Sequence, residues 1–346
     1  MEAYRKNYYN IHCDQTKYTW TASWHYSATV SHILSFIIFP LNIYVGYCII
    51  YKSSNKMHKT KWPMLNLHVW TSFLDILVST LATPYVFLPL FCGFSVGLLD
   101  LIDVPAVFQV FLIQLGLTFV GASLIVIFEN RHNAIVNDHF KITRKWSRVA
   151  FYVFNYGMAF ILLPIYFSVP DQESTKLRML EIIPCPTPEF FDPKVFVLLD
   201  MSNTELIARL VQIQFGAQTV QGFFFVPRTV FYLMIRNPSL SETTRKLQRK
   251  VFKCICIQIS IPMAVLVVPM LYMWLTVYFT YYNQALTNTL AISLLFHGIS
   301  SALAITIIYE PYRTFTTQLI RRVFGCKQSV AKVSDLASAP VSLAPA

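Results

Sequence analysis

Charge is scarce in this sequence. Lys, Arg, Asp and Glu make up 13% of its 346 residues, about half the usual share. The 28 basic and 17 acidic side chains cannot solvate the surface of a soluble domain of this length. Glycine is scarcer still, at 10 residues, which excludes collagen-like and Gly-rich low-complexity chains. There is no phosphate-binding loop, no His-Glu-x-x-His pair and no nucleophile elbow. An enzyme, a cofactor and a metal site are therefore not expected. Residues 1–24 lack the apolar core and small-residue cleavage site of a cleavable signal peptide. No internal repeat is visible, which counts against a transporter.

Apolar residues are abundant, at 55% of the chain, and this excludes disorder. They fall in runs free of Lys, Arg, Asp and Glu: 18–51, 62–99 (broken only by Asp75), 104–128, 149–170, 210–227 and 254–309. About 20 apolar residues in a helix cross the hydrocarbon core. The last run is long enough for two crossings, with a polar break at Tyr281, Tyr282, Asn283 and Gln284. The runs lack the alternation of barrel strands. The fold class expected is an all-α membrane protein, a seven-transmembrane helix bundle. Its spans are 25–51, 63–91, 105–128, 149–169, 207–235, 254–280 and 286–309.

Lys and Arg in the loops set the orientation. Segments 52–62, 129–148, 236–253 and the tail from 310 hold 20 basic against five acidic residues. The opposite face holds six basic against 11 acidic residues. The N-terminus is expected outside and the C-terminus in the cytoplasm. The basic excess thus faces inner-leaflet lipid or a cytoplasmic partner, and no nucleic acid. The expected division is an extracellular segment 1–24, a bundle 25–310, an interfacial helix 311–326 and a disordered tail 327–346. Tyr312, Phe315, Leu319 and Val323 share one face of that interfacial helix, with Arg313, Arg321 and Arg322 nearby. Cys326 beyond it is a lipidation candidate, or an unmodified thiol.

Polar residues inside the spans are the functional candidates. Asp75 is the one carboxylate in the apolar part of the bundle. It lies about 20 Å from the cytoplasmic end of its helix, and Asn42 on the first span about 15 Å, at 1.5 Å per residue. The two can pair at mid-depth. Gln214, Gln218, Gln221 and Phe225 form one stripe on the fifth span; it fits a ligand pocket or interhelical hydrogen bonding equally. His297 stands beside Gly298, Ser300 and Ser301, as a ligand contact or a core histidine. Cys13, Cys92 and Cys185 lie on the side where disulfides form. Pro262 and Pro269 interrupt the sixth span and invite a kink there.

An ordered set of motifs marks the span ends. Leu65-Asn66-Leu67-His68-Val69-Trp70, Leu74-Asp75 and Pro84-Tyr85 belong to the second, and Glu129-Asn130-Arg131 closes the third. Pro184-Cys185 sits in the second outer loop, and His297-Gly298 and Glu310-Pro311-Tyr312-Arg313 mark the seventh span. The set resembles the nematode serpentine chemoreceptors, most closely class H (Srh), over about 25–325. The resemblance implies a G-protein-coupled receptor in the plasma membrane, in sensory cilia of chemosensory neurons. Its partners would be a small environmental molecule, a heterotrimeric G protein and membrane lipids. It implies coupling roles for Glu129, Arg131, Arg245 and Lys246, although Asn130 separates the acid from the Arg and no Tyr follows. It implies a packing role for Asn42 and Asp75, and a ligand pocket that includes Gln214, Gln218 and His297. It favours a Cys92–Cys185 disulfide, with Cys13 as the competing partner. A ligand-gated cation channel with inverted topology is the alternative, and the loop charges oppose it.

Overall fold

The first long helix begins where a capping residue meets an apolar run. Ser23 has an extended backbone, and its hydroxyl accepts the His25 N–H at 3.2 Å. That satisfies one of the free donors at a helix start. The computed structural model describes residues 1–14, 16, 18–54, 58–136, 139–198, 204–234 and 242–324. Among these, seven long helical segments follow in order. The first three are Trp24–Tyr51, His58–Ile76 with a wider last turn Leu77–Leu81, and Ala106–Ile135. The fourth is Lys145–Gly157, continued by Met158–Leu162 and Leu163–Phe167. Thr204–Met234, Glu242–Phe279 and Gln284–Ile308 complete the set. All but the fifth are long and apolar enough to cross a bilayer. The fifth has the length, at 31 residues, but carries Arg209, Arg228 and four glutamines.

The first helix packs on the second and seventh, the third on the second and fifth, and the sixth on the seventh. At the cytoplasmic end Val45, Ile49, Met64, Ile305 and Tyr309 form one apolar cluster. Tyr312 joins it from a further helix, Glu310–Val323, where the interfacial helix was expected. Its hydroxyl lies 2.7 Å from Ser53 Oγ. Cys326 and the tail 327–346 lie outside the described residues.

The second span departs most from its expected bounds. Its apolar run extends to residue 91, yet the helix stops at Leu81. Proline disfavours helical geometry in the residue before it. Thr83, before Pro84, takes a φ of 43°, and the chain turns into a hairpin of β1 (Pro84–Phe87) and β2 (Cys92–Ser95). With β3 (Phe196–Val197) these make an antiparallel sheet in the order β1-β2-β3. Among the described residues this outer sheet is the one β-structure in an otherwise helical chain. The third and sixth helices also run beyond their expected cytoplasmic limits, to Ile135 and from Glu242.

The sheet belongs to an outer cap. Asp171 caps a helix Gln172–Ile182, accepting the Ser174 N–H at 3.0 Å. Gln172 holds β3 by both amide atoms, with Nε2 donating to Val197 O at 3.0 Å and Oε1 accepting from Val197 N at 2.8 Å. The N-terminal segment lies over the loop that follows. The Tyr4, Tyr9 and Tyr18 hydroxyls donate to Pro184 O, Pro186 O and Cys185 O at 3.1, 2.7 and 2.7 Å. Burial holds all three phenols above their usual pKa, so they stay protonated donors.

The disulfide corrects the expectation drawn from the resemblance. Cys185 pairs with Cys13, at a Cα–Cα distance of 5.5 Å, and not with Cys92. Cys92 opens β2, and its thiol is buried with Tyr85, Phe87, Met179 and Phe190. The strand holds it inside that cluster, while the tyrosine contacts carry Cys13 to Cys185. A bridge closing so long a loop contributes about 2–4 kcal/mol. Cys13→Ser and Cys185→Ser should each lower the melting temperature and remove the cross-linked peptide from a non-reducing digest. Cys92→Ser should leave that peptide intact; its loss would assign the bridge to Cys92.

Candidate functional site

Among the described residues, three groups of intramembrane polar side chains include the candidates. The first joins helices one, two and seven. Asn42 Nδ2 donates to Asp75 Oδ2 at 3.2 Å, with both residues buried. His68 Nε2 lies 2.9 Å from Asn42 O, and its ring faces Gly46. Asp75 also rests against the seventh helix at Gly298. A Cβ there would stand 2.1 Å from Asp75 Oδ2. Only a residue without a side chain lets that helix come so close. His68 belongs to the sequence motif without a role assigned to it; a histidine about two helical turns before the buried Asp, on the same helix face, is the signal that marks it.

The second place is the fifth helix. Gln214 Nε2 donates to Thr118 Oγ1, and Gln218 Nε2 to Thr118 O at 3.2 Å. Gln114 Nε2 reaches Gln214 Oε1 at 3.4 Å, and Asn155 Nδ2 donates to Gln221 Oε1 at 3.0 Å. The side chain of Gln218 lies flush against Gly121. The glutamine stripe is thus engaged in joining the fifth helix to the third and fourth. His297 lines a different space, a cavity of about 20 Å³ with Thr71, Gln258 and Ser301. That is room for a single water. Gln214 and Gln218 do not line that cavity.

The third place is the cytoplasmic end of the third helix. Glu129 is fully buried, and its partners come from the fourth helix and from the next turn of its own. Arg148 Nη2 donates to Glu129 Oε2 at 2.8 Å, and Tyr152 Oη to the same oxygen at 2.9 Å. Asn133 Nδ2 donates to Oε1. Arg131 lies two residues away on a different face of the helix. It is 4% exposed, and its Nε and Nη2 have no hydrogen-bond partner among the described residues. Beside it Tyr309 Oη donates to Gln258 Oε1 at 2.8 Å, which ties the seventh helix to the sixth. Arg245 is half-buried on the cytoplasmic extension of the sixth helix, and Lys246 is exposed there, paired with Glu242 at 2.9 Å. Arg148, Tyr152, Gln258 and Tyr309 had no role in the sequence reading. Arg148 had been counted only as loop charge.

Comparison with known proteins agrees with this architecture. The family model of the serpentine type 7TM GPCR chemoreceptor Srh matches residues 22–322. The chain belongs to the Srh family. A relative, serpentine receptor class H-72 of Caenorhabditis elegans, is 32% identical over 288 residues, covering 82% of each chain. Srh is a family of multi-pass chemoreceptors and not of enzymes.

The Asp75–Gly298 contact gives a direct test of how this Srh chain packs. Overfilling a tight contact costs about 1–3 kcal/mol. Gly298→Ala should therefore lower the melting temperature clearly. Gly46→Ala should be near neutral, because its Cβ would meet His68 Nε2 at 3.5 Å, an ordinary contact. Asp75→Ala should remove most of the Gly298→Ala penalty in a double-mutant cycle. Purely additive losses would show that the two residues do not share the contact.

Proposed function

We propose that this chain is a G-protein-coupled chemosensory receptor, which binds a small environmental molecule from the outer side and activates a heterotrimeric G protein. The observation that carries this reading is Arg131. A guanidinium buried at the cytoplasmic end of the bundle, with two nitrogens lacking partners, is costly unless another state supplies acceptors. A backbone or carboxylate oxygen of an inserted Gα segment would do so. Glu129 does not restrain it, since Arg148 and Tyr152 occupy that carboxylate.

The switch follows from what lies beside Arg131. The Tyr309–Gln258 hydrogen bond holds the sixth helix to the seventh. Pro262 and Pro269 interrupt the hydrogen-bond ladder of the sixth helix just beyond Gln258. A ligand that binds the open packing more tightly shifts the population towards it. The sixth helix then turns about the prolines, the Tyr309–Gln258 bond breaks and Arg131 becomes accessible. Arg245 and Lys246 move with that helix and present positive charge to the partner. Glu129 acts indirectly, by fixing the third helix to the fourth.

The inverted channel is not favoured. A Cys13–Cys185 bridge needs an oxidising compartment. It places the N-terminus and the second outer loop together, opposite the basic loops. The receptor reading puts the protein in the plasma membrane, and the Srh relationship supports a sensory cell.

In a reconstituted system of receptor, heterotrimeric G protein and labelled GTP analogue, Arg131→Ala should abolish agonist-driven nucleotide exchange. Agonist binding and surface delivery should be retained. Gln258→Leu should raise exchange without agonist, because Tyr309 loses its acceptor. Full agonist-driven exchange in Arg131→Ala would sink the coupling role.

A further inference from the structure

We propose that the agonist site is the apolar cavity beneath the outer sheet, between that sheet and the first turns of the third helix. Its ligand is a compact apolar molecule with at most one hydrogen-bond acceptor. The inference rests on the receptor reading and adds a place and a chemical class to it.

The space is a half-open cleft of about 170 Å³, close in volume to the roughly 150 Å³ apolar cavity that takes up benzene in a protein interior. The space therefore suits a molecule of benzene-like bulk, a small aromatic or a short ester or ketone. Tyr85 and Val86 of β1, Phe94 of β2 and Phe196 of β3 wall it on one side, with Ala106 and Val110 of the third helix on the other. The polar atoms are few. The Tyr85 hydroxyl is taken, donating to Ala22 O at 2.6 Å. Ser95 supplies the other hydroxyl of the lining and can donate to one ligand oxygen. A charged or strongly hydrated molecule would lose its water for little return.

The residues just before β1 and β2, Thr83 and Phe91, hold left-handed backbone. Thr83 has a φ of 43° and precedes Pro84 of the lining; Phe91 has a φ of 49° and lines the cavity itself. Neither is glycine, so both geometries cost free energy that the surrounding cap must offset. Together they turn the hairpin over the third helix and so shape the space.

Other spaces fit an environmental ligand less well. The cavity at His297 holds one water, and the glutamines of the fifth helix are bonded to the third and fourth. The wide groove lined by Lys52, Lys250 and Phe315 opens at the cytoplasmic end. The cavity under the sheet also has a route to the bundle. β1 follows the second helix directly, and Ala106 begins the third. A ligand touching both can bias how those helices meet.

The test uses the full-length receptor in lipid nanodiscs and a phenyl-diazirine photoprobe of benzene-like bulk. Saturable adducts, competed by toluene, should map to residues 84–95 and 106–110. Ala106→Leu and Val110→Phe, each checked for surface delivery and melting temperature, fill the space. They should cut saturable labelling by about tenfold or more. Should neither variant fold, the adduct map of the unaltered protein decides alone. Ser95→Ala should weaken competition by a small ketone but not by toluene. Saturable adducts around His297, or labelling that never saturates as for bulk lipid, would overturn the proposal. G-protein nucleotide exchange is read separately on the same samples. Adducts in the cap without exchange would sink the receptor reading and leave the site; exchange with adducts elsewhere would do the reverse.

Discussion

A carboxyl group buried where the bilayer admits no water must be matched by the helices around it, and Asp75 sets this constraint on the whole bundle. Its partner Asn42 is 33 residues away on the first helix. The space for it comes from the missing side chain at Gly298 on the seventh. The three helices can meet here in few other ways without stranding a polar group in hydrocarbon. His68 extends the same logic by bonding the carbonyl of Asn42. Close to this junction the second helix packs on the third and the seventh on the sixth. Most of the remaining packing follows from it.

Away from the junction, polar side chains join helices pairwise. The glutamines of the fifth helix show why such groups need not bind anything from outside. Gln214, Gln218 and Gln221 each have a partner on the third or fourth helix, so a stripe that reads equally as pocket or as interhelical bonding makes interhelical bonds in this packing. The amide spacing was visible in the sequence. What it could not reveal was Thr118 and Asn155 waiting opposite, because those pairs depend on helix rotation.

The helical spans were legible because they rest on a bulk property, apolar length. The outer cap was not, for a physical reason. Residues 84–95 are as apolar as a membrane span, but Tyr85, Phe87 and Phe94 pack on Phe190 and Met179 instead of lipid. Hydropathy does not distinguish those two environments. Pro84 was the available signal, since the residue before a proline resists helical geometry. The same gap explains the disulfide. Choosing between Cys13 and Cys92 requires knowing that tyrosines 4, 9 and 18 fasten the N-terminal segment to the loop at 184–186. The cytoplasmic motif was half legible. Arg131 and Glu129 were both marked, and the spacing already denied them a shared face. The true partner of Glu129, Arg148, is 19 residues on and looked like loop charge.

The third helix connects these local facts. It runs unbroken from Ala106 to Ile135, 30 residues, or about 45 Å at 1.5 Å per residue. No proline or backbone outlier interrupts it. Its first turns wall the cavity under the outer sheet, its middle accepts the glutamines of the fifth helix, and its last turns carry Glu129 and Arg131. A helix without a hinge passes on displacement as tilt or rotation. The Glu129–Arg148 pair fixes its cytoplasmic end to the fourth helix, so a change at the outer end is expressed against helices two and six. The sixth carries two prolines, Pro262 and Pro269, and its Gln258–Tyr309 bond stands beside Arg131. The chain therefore sets a stiff element that spans the membrane against one whose hydrogen-bond ladder two prolines interrupt.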